Sequence, residues 1–360
     1  MRLGIIGLPN SGKTTIFNAL TGQNFETAAV SSGQFEVHNA VVNVPDPRID
    51  KLVEMYKPKK TVYATINFAD IAGMDKGISE GGLKGQFRNE LQQVDGFVHV
   101  VRVFEDPSVP HPYETIDPAR DLAIIDGEFL LSDLITVENR LQKLHDELRI
   151  KGKKAEPVVQ PQIELMERLK ATLEEEKPLR VLDLSEEDIK SLRGYGFMTL
   201  KPTIVVFNCG EGQHVDAKLL TTADKLLTVE LMGKLEAEIS QLDAEAAEMF
   251  MSEYNITERS ASRVIRLSYQ LMNIHAFFTV GPDEVRAWSV RVGATAPEAA
   301  GVIHSDLQKG FIRAETFSYD DLIAVGSEAA LKAAGKFRLE GKDYVVKDGD
   351  ILNIRFSPAK

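Results

Sequence analysis

The chain of 360 residues has a single cysteine, Cys209, and a single tryptophan. One thiol excludes any intramolecular disulfide, and with it the cysteine-stapled scaffolds of small secreted domains. No apolar run approaches the roughly 18 residues that a membrane helix needs. The N-terminal text MRLGIIGLPNSGKTT is interrupted by glycine and polar residues before a signal-peptide core can form. The expected location is therefore the cytoplasm, with no membrane partner. An excess of positive charge is missing too. The formal net charge is −12 at pH 7, which argues against a general nucleic-acid coat and against a DNA partner. Internal repeats and low-complexity tracts are also lacking, so solenoids and disordered scaffolds drop out.

What is present fits a globular α/β protein of two or three domains. Arg2–Ile6 is a short apolar run that stops at Gly7, and the text from Lys13 to Leu20 carries Ile16, Phe17 and Leu20 at helical spacing. Further apolar runs span Val62–Phe68, Phe97–Phe104 and Thr203–Phe207. Short apolar runs alternating with helical patterns predict a mostly parallel sheet covered by helices on both faces.

Residues 128–195 break that rhythm. Leu130, Leu134, Val137, Leu141, Leu144 and Leu148 alternate steps of four and three, an a/d seam. Residues 149–161 contain Gly and Pro and read as a turn, and Ile163, Met166, Leu169 and Leu173 form a returning stripe. An antiparallel helical hairpin inserted between two strands of the sheet is expected. Residues 243–275 read as helical. From 277 onward the texture changes to short β-type runs such as AWSVRV and KDYVVKDGDILNIRF, which predicts a compact α+β module.

Gly7 to Thr14 reads GLPNSGKT and fits GxxxxGK[ST] between a strand and a helix. Such a loop curls so that successive backbone N–H groups face phosphate oxygens, and the following helix aims its positive end at the same anion. Asn10, Ser11, Gly12, Lys13, Thr14 and Thr15 are the expected phosphate contacts. Lys13 reaches the β- and γ-phosphates, and the Thr14 hydroxyl ligates Mg²⁺. Asp70-Ile71-Ala72-Gly73 follows an apolar run and fits a DxxG loop, with Asp70 toward Mg²⁺ and the Gly73 N–H toward the γ-phosphate. Asn208-Cys209-Gly210-Glu211 ends the 203–207 run where guanine-selective relatives carry Asn-Lys-x-Asp. Here Glu211 replaces the aspartate and Cys209 the lysine, so guanine selection is expected to weaken. Met74 occupies the place of the water-orienting glutamine of many switch proteins. His111, in the loop Asp106–Pro112, is the candidate that takes over, as a catalytic group beside Lys13. His99, inside an apolar run, reads as structural. Lys309, Arg313, Lys336, Arg338 and Lys342 are candidates for a local basic patch.

Taken together, the stretches GLPNSGKTTIFNALTG, VPDPRIDKL, KPKK, DIAGM, VHVVRVFED, DLSEEDI, TLKP and SRVIR resemble the YchF/Obg-like ATPase family. So does most of EVRAWSVRVGATAPEAAGVIHSDLQKGFIRAETFSYDDLI and GKDYVVKDGDILNIRF. The resemblance implies a Ras-like P-loop domain over 1–127 and 196–276, an inserted antiparallel coiled coil over 128–195, and a C-terminal β-grasp, TGS-like domain over 277–360. It implies slow hydrolysis of ATP in preference to GTP, through Asn208 and Glu211, and the ribosome or a ribosomal subunit as partner. Asn10 stands where potassium-stimulated members have asparagine, which adds K⁺ to Mg²⁺ as a candidate cation. Three features depart from the family pattern. Gln34 stands where a Mg²⁺-ligating threonine is expected, with Thr27 as another source. Leu231–Lys234 lacks the run of small residues that closes over the base. The segment 212–229 is shorter than usual. The departures at Gln34 and Met74 motivate an alternative, a nucleotide-gated regulatory protein with little hydrolysis. A small-molecule P-loop kinase is disfavoured by the DxxG loop and the C-terminal module.

Overall fold

The computed structural model describes residues 1–27, 36–71, 83, 85–216, 226–253, 256 and 258–357. These fall into two compact units, Met1–Ala40 with Asn67–Val264, and Val41–Ile66 with Ile265–Lys360.

The first unit is built on a six-stranded sheet in the order β2-β4-β1-β5-β6-β7. The strands are β1 (Arg2–Ile6), β2 (Val37–Asn43), β4 (Thr65–Ile71), β5 (Gly96–Arg102), β6 (Thr203–Asn208) and β7 (Leu227–Leu231). β1 pairs in parallel with β4 and β5, and β5–β6 and β6–β7 are parallel too. Every residue of β5 and of β6 is buried, as expected for parallel strands covered on both faces, and this is why their sequences read as continuous apolar runs. Helix α1 (Lys13–Thr21) follows β1 directly, and α3 (Gly85–Gln93) precedes β5. After β7 come α7 (Gly233–Ser240), α8 (Ala244–Glu253) and α9 (Ser260–Leu271).

Between β5 and β6 stand the two helices of the hairpin, α4 (Pro118–Lys151) and α5 (Glu156–Glu174), followed by the shorter α6 (Glu186–Leu192). Asp117 caps α4 by accepting the Arg120 N–H, and Pro118 fills the first helical position, where no N–H is needed. The alternating seam is buried as its spacing predicts. Val137, Leu141 and Leu144 pack against Val159, Ile163, Met166, Leu169 and Leu173, with Leu130, Leu134 and Leu148 at the margin. The turn is shorter than residues 149–161. α4 runs to Lys151, a 3-10 turn covers Gly152–Lys154, and α5 already begins at Glu156. Pro157 and Pro161 lie near the N-terminal end of α5, and Pro157 falls in the first turn, whose amides have no intrahelical acceptor anyway. None of the helices among the described residues is long and apolar enough to cross a membrane.

The second unit has its own six-stranded sheet, in the order β11-β10-β12-β8-β9-β3. β8 (Ile274–Thr279) and β9 (Glu284–Arg291) form an antiparallel pair, as do β10 (Phe311–Ser318) and β12 (Asp350–Phe356). β12 joins β8 in parallel, and β11 (Arg338–Glu340) flanks β10. The apolar run Val62–Phe68, expected as one strand, is divided. Lys60–Val62 forms β3 beside β9, whereas Thr65–Ile71 forms β4 in the other sheet. Residues 41–66, placed by the sequence boundaries in the nucleotide domain, thus belong to the same compact unit as the C-terminal module. α2 (Pro47–Tyr56) lies in this segment, and Arg48 at its start bridges Asp46 and Asp348, each at 2.8 Å. Arg48 also lies over the Phe278 ring at 5.1 Å.

His99 lies fully inside β5, paired with Ile6 of β1. Burial, reinforced by the charges of Arg180 and Lys13, lowers its pKa from 6.5 to about 3. The unfolded chain therefore takes up a proton near pH 6.5 that the folded chain refuses, so stability is complete above that pH and is lost as pH falls. Between pH 6.5 and 5 the loss is up to about 2 kcal/mol. Thermal melts across this range are expected to fall more steeply for the natural chain than for His99→Leu. Equal slopes would contradict the assignment.

Candidate nucleotide-binding site

The site forms where β1 and β6 of the first unit end. The chain leaves β1 at Ile6, turns through residues 7–12 and enters α1 at Lys13. Three residues of this turn hold positive φ, Gly7 at 153°, Asn10 at 58° and Gly12 at 89°. At Gly12 a side chain is doubly excluded, because a Cβ there would lie 2.2 Å from Asn208 Nδ2. That close approach has a purpose. Asn208, buried at the end of β6, donates from Nδ2 to the Ser11 carbonyl at 3.0 Å, and its Oδ1 accepts the Gly233 N–H at 3.1 Å. One amide thus ties the phosphate loop to the start of α7.

A second brace comes from Arg102, a buried guanidinium at the end of β5. It donates to the carbonyls of Asn10 (3.4 Å), Phe104 (3.1 Å), Asp106 (3.3 Å) and Val109 (2.9 Å), and stacks on the Phe104 ring at 4.3 Å. Four carbonyls accept from it, so its charge is dispersed over backbone dipoles, and burial lowers its pKa. Asn10 closes the same contact from the other side by donating Nδ2 to the Pro110 carbonyl at 2.8 Å. The loop 104–110 is thereby fastened to the phosphate loop.

The expected phosphate and cation residues converge as far as the described residues reach. Lys13 Nζ donates to the carbonyls of Gly7 (3.0 Å) and Leu8 (2.8 Å), which holds the ammonium over the loop. Thr14 Oγ1 donates to Asp70 Oδ2 at 2.7 Å. Asp70 is buried, and burial raises its pKa against the Thr14 hydrogen bond and the charges of Lys13 and His38. Among the described residues, its other oxygen, Oδ1, is buried and has no hydrogen-bond partner, and the same holds for Ser11 Oγ. Thr15 is half-buried on the first turn of α1. Thr27 is exposed. Gln34, Gly73 and Met74 lie outside the described residues.

A hydroxyl and a carboxylate with an unpartnered buried oxygen are hard oxygen donors, the kind Mg²⁺ takes. Mg²⁺ at nucleotide sites uses one or two protein donors and fills its octahedron with water and phosphate oxygens. The Asn10 amide nitrogen is spent on Pro110, which leaves this side chain one oxygen to offer a cation.

The expected base-side residues separate. Asn208 is occupied as a brace, whereas Glu211 is exposed. Cys209 is buried, and burial raises its thiol to about 11, so it is an inert apolar wall. His111 is turned inward, its side chain 3% exposed. Its Nδ1 accepts the Tyr113 N–H at 3.1 Å, which places the ring proton on Nε2, 2.9 Å from Asp121 Oδ2. Arg120 holds the other Asp121 oxygen at 2.7 Å. Both ring nitrogens are therefore engaged. Among the candidate basic patch, Lys336 is paired with Asp321 and Arg338 lies near Glu340 and Asp350, so two of its members are neutralised.

Sequence reading missed Arg102, Gly233 and Asp121. Arg102 had a visible signal, a charged residue in an otherwise apolar strand. Gly233 had none, since its need arises from contact with Asn208. A Cβ on Gly233 would lie 2.7 Å from Asn208 Oδ1 and 2.8 Å from Ile16 Cδ1. Asn208 cannot yield without releasing Ser11. Gly233→Ala is therefore expected to cost about 1–3 kcal/mol in denaturant titrations. Gly194→Ala, where nothing lies within 4 Å, serves as the control and should be nearly neutral.

Known proteins resemble this chain over nearly its whole length. A family model described as 50S ribosome-binding GTPase matches residues 2–140, and the YchF-GTPase C-terminal model, described as a protein of unknown function, matches residues 274–357. The chain is 41% identical over 363 residues to the ribosome-binding ATPase YchF of Escherichia coli O157:H7, covering 99% of each. It is 41% identical over 364 residues to that of Bacillus subtilis (strain 168), covering 98% of each. It is 36% identical to Obg-like ATPase 1 of Gallus gallus, over 99% of this chain and 92% of that one. Among solved structures, the YchF GTPase of Schizosaccharomyces pombe superposes with a TM-score of 0.86 at 32% identity, over 99% of this chain and 97% of that one.

Proposed function

The chain belongs to the YchF family, and from that premise we propose that it binds ATP with Mg²⁺ at the loop Gly7–Thr14, hydrolyses it slowly, and uses its nucleotide state to govern association with the ribosome. The observation that carries the reading is the phosphate loop braced by Asn208 and Arg102, with Thr14 and Asp70 paired beside it. The backbone N–H groups around Ser11–Thr14 and the N-terminus of α1 take the phosphates, and Lys13 supplies the positive charge. Thr14 and the second carboxylate oxygen of Asp70 would hold Mg²⁺, directly or through water. When bound, that ion neutralises charge on the β- and γ-phosphates. K⁺ beside Asn10, whose side-chain oxygen is left for a cation, belongs to the same proposal. Roles for Gly73, as a γ-phosphate contact, and for Gln34, as a Mg²⁺ ligand, remain part of the proposal.

Hydrolysis breaks the bond between the γ-phosphorus and the bridging oxygen, with water oxygen taking its place. His111 is the proposed water-positioning group, on the ground that its loop is fastened to the phosphate loop through Pro110 and Arg102. To touch water it must first give up Tyr113 or Asp121, since both nitrogens are engaged. That same saturation favours the second reading, a nucleotide-gated regulator with little turnover. Preference for ATP is assigned to the base side, where Cys209 and Glu211 stand in place of the guanine-selecting Lys and Asp. The division into a nucleotide domain, an inserted hairpin and a TGS-like module, and a cytoplasmic location, belong to the same proposal.

Phosphate release should be measured with ATP and with GTP, in the presence and absence of ribosomes. Slow release that is faster with ATP supports the enzyme. Micromolar ATP binding with no release selects the regulator instead. His111→Ala is expected to lower kcat by about 10²-fold, with ATP affinity unchanged. Unaltered kcat in that variant removes His111 from the mechanism.

A further inference from the structure

An apolar cluster runs without a break from the phosphate site to the base of the helical hairpin. Leu8 of the phosphate loop and Ala69 and Ile71, which flank Asp70, lie in one core with Phe87 and Leu91 of α3 and with Ile125, Phe129 and Met198 at the hairpin's root. Packed cores of this kind transmit displacement because they do not compress. Packing alone would leave α3 able to slide, but three polar links fasten it to both strands of chain that form the root.

The first link is Lys201, in the return segment that leads into β6. Its ammonium donates to the carbonyls of Leu91 and Gln92, each at 2.7 Å. These are the last-turn carbonyls of α3, which have no intrahelical donor and which favour a cation. The same ammonium lies 5.6 Å over the Phe97 ring. Burial lowers the Lys201 pKa to about 8, against the charges of Asp133 and Asp95. The second link is Arg88 of α3, which donates to Thr136 Oγ1 of α4 at 2.8 Å. In the third, Gln92 reaches the Tyr195 carbonyl at 3.4 Å. The root itself is locked by Asp133 of α4. This buried carboxylate accepts the N–H groups of Met198 (3.0 Å) and Thr199 (2.7 Å) and the Thr199 hydroxyl (2.8 Å).

None of these groups touches the nucleotide site, and the slow hydrolysis proposed above does not use them. Their geometry serves another end. α3 cannot shift without carrying α4 and residues 195–201, or else drawing a partly buried ammonium away from its carbonyls. We propose that Lys201, with Arg88 as second anchor, clamps α3 to the hairpin root, so that nucleotide-dependent change at the Thr14–Asp70 site is delivered to the hairpin as its output arm. This rests on the reading of the site as an ATP site. Coupling through a packed element of this kind is a free-energy link between two sites, and so it is measurable at either end.

Hydrogen exchange of the full chain, followed over residues 118–200, reads the coupling with ADP and with a non-hydrolysable ATP analogue. The natural chain should show at least a threefold difference in hairpin exchange between the two nucleotides. Lys201→Met keeps the length and burial of the side chain but removes the charge, and it should abolish the difference while ATP affinity stays within twofold. Should that variant fail to fold, Thr136→Val removes the Arg88 acceptor, together with a bond to the Ser132 carbonyl within the same helix, and should at least halve the difference. No nucleotide-dependent difference in the natural chain overturns the proposal, as does a difference that persists undiminished in both variants. Failure of the natural chain to bind ATP would instead overturn the site assignment, and titration calorimetry on the same samples separates the two.

Discussion

The amide of Asn208 is the contact on which the rest of the first unit depends. A phosphate loop must present consecutive N–H groups inward, so its carbonyls turn outward and need donors from elsewhere. Asn208 supplies one to Ser11 and takes one from Gly233, and Arg102 supplies another to Asn10. The two side chains come from the ends of neighbouring strands, β6 and β5. The sheet therefore sets the shape of the loop, and the loop has no freedom to relax away from the geometry that an anion needs. Gly12 and Gly233 follow as consequences, because the amide fills the space their side chains would occupy.

The same logic of carbonyls and donors recurs farther from the site. Arg102 gathers the loop 104–109, and Lys201 gathers the end of α3. In each case a cation, buried at Arg102 and partly buried at Lys201, is balanced by two or more backbone dipoles. Asp133 is the mirror image, a buried carboxylate balanced by three donors and held near a pKa of about 6 by the contest between burial and those bonds. Such groups are costly to strip of their partners. They fix irregular chain segments in place where no helix or sheet ladder could do so.

Much of the molecule was legible in the sequence because its signals are local. The phosphate loop, the fully buried strands β5 and β6 and the a/d seam of the hairpin each depend on spacing within one segment. The division of residues 62–68 between two sheets was not legible. Tyr63 and Ala64 interrupt no apolar pattern, and only pairing with distant β9 takes β3 out of the run. The bracing role of Asn208 was not legible for the same reason. Spacing put it beside the base, whereas its partners, Ser11 and Gly233, lie far away in sequence. His111 was singled out by its loop, but its bonds to Tyr113 and Asp121 depend on how that loop folds.

A protein operated by its nucleotide should engage its partner differently in its two nucleotide states, and that is the central claim. Co-sedimentation with ribosomal subunits tests it most directly, with the chain loaded in turn with a non-hydrolysable ATP analogue and with ADP. The account predicts that the bound fraction differs severalfold between the two. Equal binding in both states, or no binding in either, would contradict it.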